Sequence, residues 1–189
     1  VFLLGMLALY GIFYFFPNVI GETITKVEKD VTVTDEGIAD AVEKVYDSVV
    51  VVNTYIDGQA YSSGTGFVYK TDNGTAYILT NNHVIDSADD VYVKFTNEQV
   101  VKAEVVGSDV YSDIAVLSVD EEYIISVAEI GSSEDARLGD TVFAIGAPID
   151  SAYSWSVTRG IVSGKDRLVE VELTSGNTKT PMIVNTLQT

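Results

Sequence analysis

The first twenty positions of the chain are apolar almost without a break, from Val1-Phe2-Leu3-Leu4 through Ile12-Phe13-Tyr14-Phe15-Phe16 to Val19-Ile20, and the first charge is Glu22. Twenty residues at about 1.5 Å each reach about 30 Å, one hydrocarbon thickness. Tyr14, Phe15 and Phe16 suit a membrane interface. The pattern predicts a transmembrane anchor over residues 1–20. A signal-peptide core or a buried helix competes with it, but the run is long for a signal core and no small-x-small cleavage pattern stands out. The chain starts at Val, so an upstream segment is expected. The downstream flank sets only Lys26 and Lys29 against Glu22, Glu28 and Asp30, which favours the non-cytoplasmic side. Residues 21–36 lack a clear core face and read as a linker.

From there the period changes. Ile38, Val42 and Val45 recur at helical spacing between Asp35 and Asp47, predicting a short amphipathic helix. Then come short β runs bounded by Gly, Asn and Asp: Ser48–Ile56, Gly64–Thr71, Ala76–Thr80, Asp90–Thr96, Val100–Gly107 and Ile114–Val119. Asp72-Asn73-Gly74 is a good hairpin turn. Six short strands in so few residues predict a small antiparallel barrel or sandwich, so residues 37–135 form one unit with the helix at its start. A second set begins at Thr141: Thr141–Ala147, Ser156–Ser163, Leu168–Leu173 and Met182–Leu187. Residues 136–189 hold these four, too few for a second barrel of equal size.

Composition narrows the chemistry. The 189 residues carry 28 acids against 11 Lys and Arg, a formal charge of −17, with one His and no Cys. An apolar fraction of 47% supports a real core. Without Cys there is no disulfide scaffold, zinc ribbon or cysteine nucleophile. A lone His rules out a multi-histidine metal site, and no metal or organic cofactor is expected. The acidic balance argues against nucleic acid, whose phosphates need clustered Lys and Arg.

The lone histidine ends a β run, in Leu79-Thr80-Asn81-Asn82-His83-Val84. Thirty residues on, Asp113 heads the apolar run Ile114-Ala115-Val116-Leu117. A general-base His needs a carboxylate on its far nitrogen to fix the tautomer and stabilise the imidazolium. A strand-end His and a strand-start Asp in one barrel can meet that need. On spacing alone two readings stay open: a catalytic pair, or a structural His and an Asp that merely terminates a turn.

Gly64-Thr65-Gly66-Phe67-Val68, the His83 segment, Val105-Val106-Gly107-Ser108-Asp109 and Asp113-Ile114-Ala115-Val116-Leu117 together resemble the trypsin-like serine proteases of the HtrA family. The likeness continues through Leu138-Gly139-Asp140, Ala144-Ile145-Gly146-Ala147-Pro148, residues 156–164 and Asn185-Thr186-Leu187-Gln188-Thr189, in unbroken order from about residue 37. It implies an all-β double barrel of the trypsin/chymotrypsin type, its second barrel incomplete here. It implies His83 as general base and Asp113 as its orienting acid, with the Asn82 and His83 amides helping to hold the Asp113 carboxylate. The implied function is a membrane-tethered serine endopeptidase of protein quality control and stress response. It would cleave unfolded or damaged exported proteins, as a homotrimer, with the protease domain outside the cytoplasm.

The family's nucleophile lies in a Gly-Asn-Ser-Gly-Gly motif just past the Thr-Leu-Gln-Thr stretch, and residues 1–189 do not contain it. No Gly-x-Ser-x-Gly elbow replaces it. Ser62-Ser63-Gly64, Gly131-Ser132-Ser133 and Ser163-Gly164 read as turns, with Ser63 just ahead of a strand. The chain is therefore expected to be a fragment, inactive alone, whose parent continues past Thr189 to the serine and a PDZ module. The competing reading is a degenerate protease kept as a binding or chaperone-like module. Residues 165–181 read as a solvated hairpin, or by resemblance as a ligand-sensing loop. Asp86, Asp89 and Asp90 read as a solvated turn that could act on His83.

Overall fold

A computed structural model describes residues 35–146, 154–175 and 178–189. The anchor of residues 1–20 and nearly all of the 21–36 linker lie outside them. Among the described residues no helix is long and apolar enough to cross a membrane.

The expected helix forms as α1, Asp35–Tyr46. Ser48 stops it, its hydroxyl and amide both donating to the Val45 carbonyl at 2.6 and 3.0 Å. Six strands follow: β1 (Val49–Ile56), β2 (Gln59–Asp72), β3 (Thr75–Thr80), β4 (Asp90–Lys94), β5 (Val100–Asp109) and β6 (Ile114–Asp120). They close an antiparallel barrel in the order β1-β2-β3-β6-β5-β4, so no strand of it is left as an edge. Alternation sets the faces. Ala76, Ile78 and Thr80 on β3, and Ala115, Leu117 and Val119 on β6, are buried while the residues between them are not. With Val50, Val52, Val68, Val93 and Phe95, all fully buried, they fill the barrel. Each fully buried Val, Leu, Ile or Phe among them contributes about 1.5–3 kcal/mol.

β2 starts at Gln59, five residues before the expected Gly64. Asp57 and Gly58 both take positive φ, 51° and 73°, which makes a two-residue hairpin and pairs Ile56 with Gln59. Ser62-Ser63-Gly64 is thus strand and not turn, and Ser63 lies inside β2. Its polar residues hid the alternation, but its backbone pairs with Val52–Thr54 throughout.

β1 is buried on both faces, Val49 and Val51 as well as Val50 and Val52. Beyond the barrel, β1 meets the later part of the chain at Trp155. β7 (Thr141–Gly146) pairs with β8 (Ser156–Ile161), and β9 (Gly164–Ser175) with β10 (Thr178–Gln188). Among the described residues these are two separate antiparallel ribbons and do not close a barrel. β9 and β10 extend well beyond the expected Leu168–Leu173 and Met182–Leu187, so most of 165–181 is ladder. Leu168 and Ile183 on this ribbon stay exposed. Just before β8, Trp155 donates its indole N–H to the Val49 carbonyl at 3.0 Å, with Lys94 Nζ 5.6 Å from its ring.

Candidate active site

β3 ends at Thr80, whose hydroxyl donates to the Thr65 carbonyl at 2.9 Å. The chain then makes one turn of helix, α2 (Asn82–Ile85), before running on to β4. Four residues cannot form a stable helix by propensity. Tertiary contacts fix it: Val84 and Ile85 are buried in the barrel core, and the Val84 carbonyl accepts the Thr54 hydroxyl at 3.3 Å. Gly64 makes this close seat possible, since a Cβ there would stand 2.5 Å from Val84 Cγ2. With Val84 and Ile85 turned inward, His83 between Asn82 and Val84 projects outward, its side chain 70% exposed.

Asp113 arrives from the β5–β6 turn. Asp109 shapes that turn: its carboxylate accepts the Ser112 hydroxyl at 2.7 Å and the Ser112 and Tyr111 amides at 3.1 and 3.2 Å. These bonds, the Ser112 hydroxyl foremost, hold the Asp109 carboxyl below its ordinary range. Asp113 follows in a left-handed conformation, φ 53°, which Asp tolerates better than most residues.

The two residues singled out in the sequence meet. His83 Nδ1 lies 2.7 Å from Asp113 Oδ2, and the His83 amide donates to Oδ1 at 2.9 Å. Because a carboxylate only accepts, Nδ1 carries the proton in the neutral ring, and Nε2 faces outward as an acceptor. With the His83 side chain 70% exposed, the contact itself adds little stability. Its geometry comes from the two turns. The Asn82 amide does not join His83 on the carboxylate. It donates to the Asp113 backbone carbonyl at 3.2 Å, because the strand-like pairing of the two turns sets backbone against backbone there.

The serines weighed as substitutes for a nucleophile have partners elsewhere. Ser63 donates to Asn53 Oδ1, the Ser132 hydroxyl accepts the Glu134 amide, and Ser163 donates to the Gln188 carbonyl. The acidic patch is engaged elsewhere: Asp89 accepts the Asp57 amide at 2.8 Å, and Asp90 pairs with Lys102 at 2.6 Å. Among the described residues no group of three His, Cys, Asp or Glu could hold a metal ion. Sequence reading missed Asn81, whose side-chain amide also reaches Asp113. The only hint was an Asn at a helix start, a position usually explained by capping.

The model of the trypsin-like peptidase domain matches residues 64–189. The serine protease Do-like HtrA of Bacillus subtilis (strain 168) is 43% identical over 127 residues, covering 67% of this chain and 27% of that protein. A probable periplasmic serine endoprotease, DegP-like, of Pseudomonas savastanoi pv. phaseolicola is 41% identical over 109 residues, 58% of this chain and 22% of its own length. The serine endoprotease of Yersinia pestis superposes with a TM-score of 0.61 at 31% identity, covering 78% of this chain and 53% of the other. The chain thus spans about a quarter of the length of these two curated relatives.

Proposed function

Since this chain belongs to the trypsin-like peptidases, in their HtrA family, we propose that it carries the base and the acid of a serine endopeptidase of protein quality control. The observation that carries the reading is the two-point contact between His83 and Asp113, Nδ1 to Oδ2 and backbone amide to Oδ1. One contact fixes the tautomer and the other fixes the ring's approach. That combination serves a base whose free nitrogen must take a proton.

In the proposed mechanism a serine hydroxyl attacks a peptide carbonyl carbon while its proton passes to His83 Nε2. Asp113 offsets the imidazolium that results. The tetrahedral adduct collapses, Nε2–H gives its proton to the leaving amine, and an acyl-enzyme remains. Water, deprotonated by His83, then hydrolyses the ester. The serine belongs to the Gly-Asn-Ser-Gly-Gly motif, which residues 1–189 do not contain. Residues 37–135 would supply base and acid, and residues 136–189 the first strands of the barrel that carries the nucleophile.

Residues 1–20 are proposed to tether the protein to the cell membrane with His83 on the extracytoplasmic side. The charge-free run and the Lys-poor flank support this. Substrates would be unfolded exported proteins, and the active form a homotrimer. In a polypeptide that joins these residues to the serine motif, cleavage of unfolded casein should vanish with His83→Ala while the thermal melt stays cooperative. Retained cleavage would overturn the assignment. Residues 1–189 alone should neither cleave casein nor take up a fluorophosphonate probe. Carbonate-resistant membrane association, with accessibility to added protease in spheroplasts, tests the tether.

A further inference from the structure

Asn81 occupies the N-cap of α2, with extended backbone angles (φ −87°, ψ 145°), yet its side chain makes no capping hydrogen bond. Asn is among the best capping residues because its side-chain oxygen accepts a free helix amide. Here the side chain turns away. Its Nδ2 lies 3.0 Å from the Asp113 backbone carbonyl and 3.2 Å from Asp113 Oδ2. Both partners only accept, so the NH2 end of the amide must face them. The cap is given up for Asp113.

The consequence is geometric. Asp113 Oδ1 is fixed by the His83 amide and Oδ2 receives His83 Nδ1. Those two donors belong to the same residue, and one of them sits on a side chain that can turn. Asn81 supplies a donor from a different residue. By bridging the Asp113 backbone carbonyl to Oδ2, it closes a ring through Cα, Cβ and Cγ of Asp113 and stops the carboxylate rotating. Asp113 needs such a stop because its left-handed backbone closes a turn whose preceding residues, 110–112, are exposed.

We infer that Asn81 is a positioning residue for the His83–Asp113 pair, acting through the Asp113 carboxylate and not on substrate. The inference rests on His83 and Asp113 working as base and acid, and its test separates the two. His83 is the chain's only histidine, so 15N-histidine labelling of the 189-residue chain, purified without a histidine tag, reports one ring. In the neutral ring the wild type should show the Nδ1–H tautomer. Asn81→Ser keeps a good N-cap but is too short to span to Asp113, so the fold should persist. The Nδ1–H fraction should nonetheless fall at least about twofold, because the tautomer follows the bond the other nitrogen makes. Asn81→Asp, similar in shape but without the donor, should do the same. If either folded variant keeps the wild-type tautomer while Asp113→Asn loses it, the role given to Asn81 is wrong. If Asp113→Asn also keeps it, the pairing of His83 with Asp113 fails first, and this inference with it.

Discussion

Asp113 combines two demands in one residue: a carboxylate aimed at Nδ1 and a backbone with φ of 53°. Substitutions separate them. Asn keeps the shape and the tolerance of left-handed backbone but presents an amide to the imidazole. In a polypeptide that joins these residues to the serine motif, Asp113→Asn should cost about 10⁴-fold in kcat with little change in melting temperature. Asp113→Ala should lose the same activity and in addition about 1–2 kcal/mol of stability, since Ala pays the left-handed penalty. Parallel kinetics and melting curves check both, and equal stability of the two variants would contradict the backbone argument. That His83 and Asp113 meet was legible through the ordered resemblance, whereas their spacing alone left a structural reading open. The bond from Asn81 was not, because it crosses 32 positions and competes with an ordinary capping role. Nor was the destination of the Asn82 amide, which depends on how two turns abut.

The elements that present the site are held by close fits more than by propensity. α2 sits where it does because Gly64 leaves room for Val84. Gly64→Ala should destabilise the barrel by about 1–3 kcal/mol through overpacking, and should shift the His83 resonances along with the helix. Val84→Ala removes the clashing methyls, so the double variant should be more stable than the sum of the single effects predicts, by a thermodynamic cycle on melts. The β5–β6 turn makes a second case. Asp109 has its carboxyl held below the ordinary range by Ser112 and Tyr111, so its ionised form favours the folded state. That contribution is complete above the ordinary carboxylate range, near 3.8, and disappears as pH falls through the lower folded value. Asp109→Asn should therefore melt below the wild type at neutral pH, with the gap closing in acid. A gap independent of pH would refute the assignment. Alternation made most barrel strands readable, β3 and β6 above all. The start of β2 escaped because Tyr61, Ser62 and Ser63 pair by backbone and bury little.

Across the molecule, charge is unevenly spread. Residues 37–135 hold 18 Asp and Glu against four Lys, whereas residues 136–189 hold five acids and five bases. Each of the four lysines already has a carboxylate partner: Lys44 with Glu129, Lys70 with Asp72, Lys94 with Glu98 and Lys102 with Asp90. Exposed pairs contribute little, so repulsion among the remaining carboxylates should dominate the salt response. The melting temperature should rise as sodium chloride goes from about 10 mM to about 500 mM, where the screening length shrinks several-fold. A fall would mean that the ion pairs outweigh the repulsion. The barrel closes on itself, whereas among the described residues each ribbon strand pairs with one other, so the two parts need not let go together. Trp155 stands at their joint, its indole on the Val49 carbonyl of β1 and its ring beneath Lys94. It is also the sole tryptophan. The chain therefore carries its own optical gauge: emission excited at the red edge of protein absorbance comes from one ring, and its wavelength reads whether the β7–β8 ribbon still lies against a folded barrel.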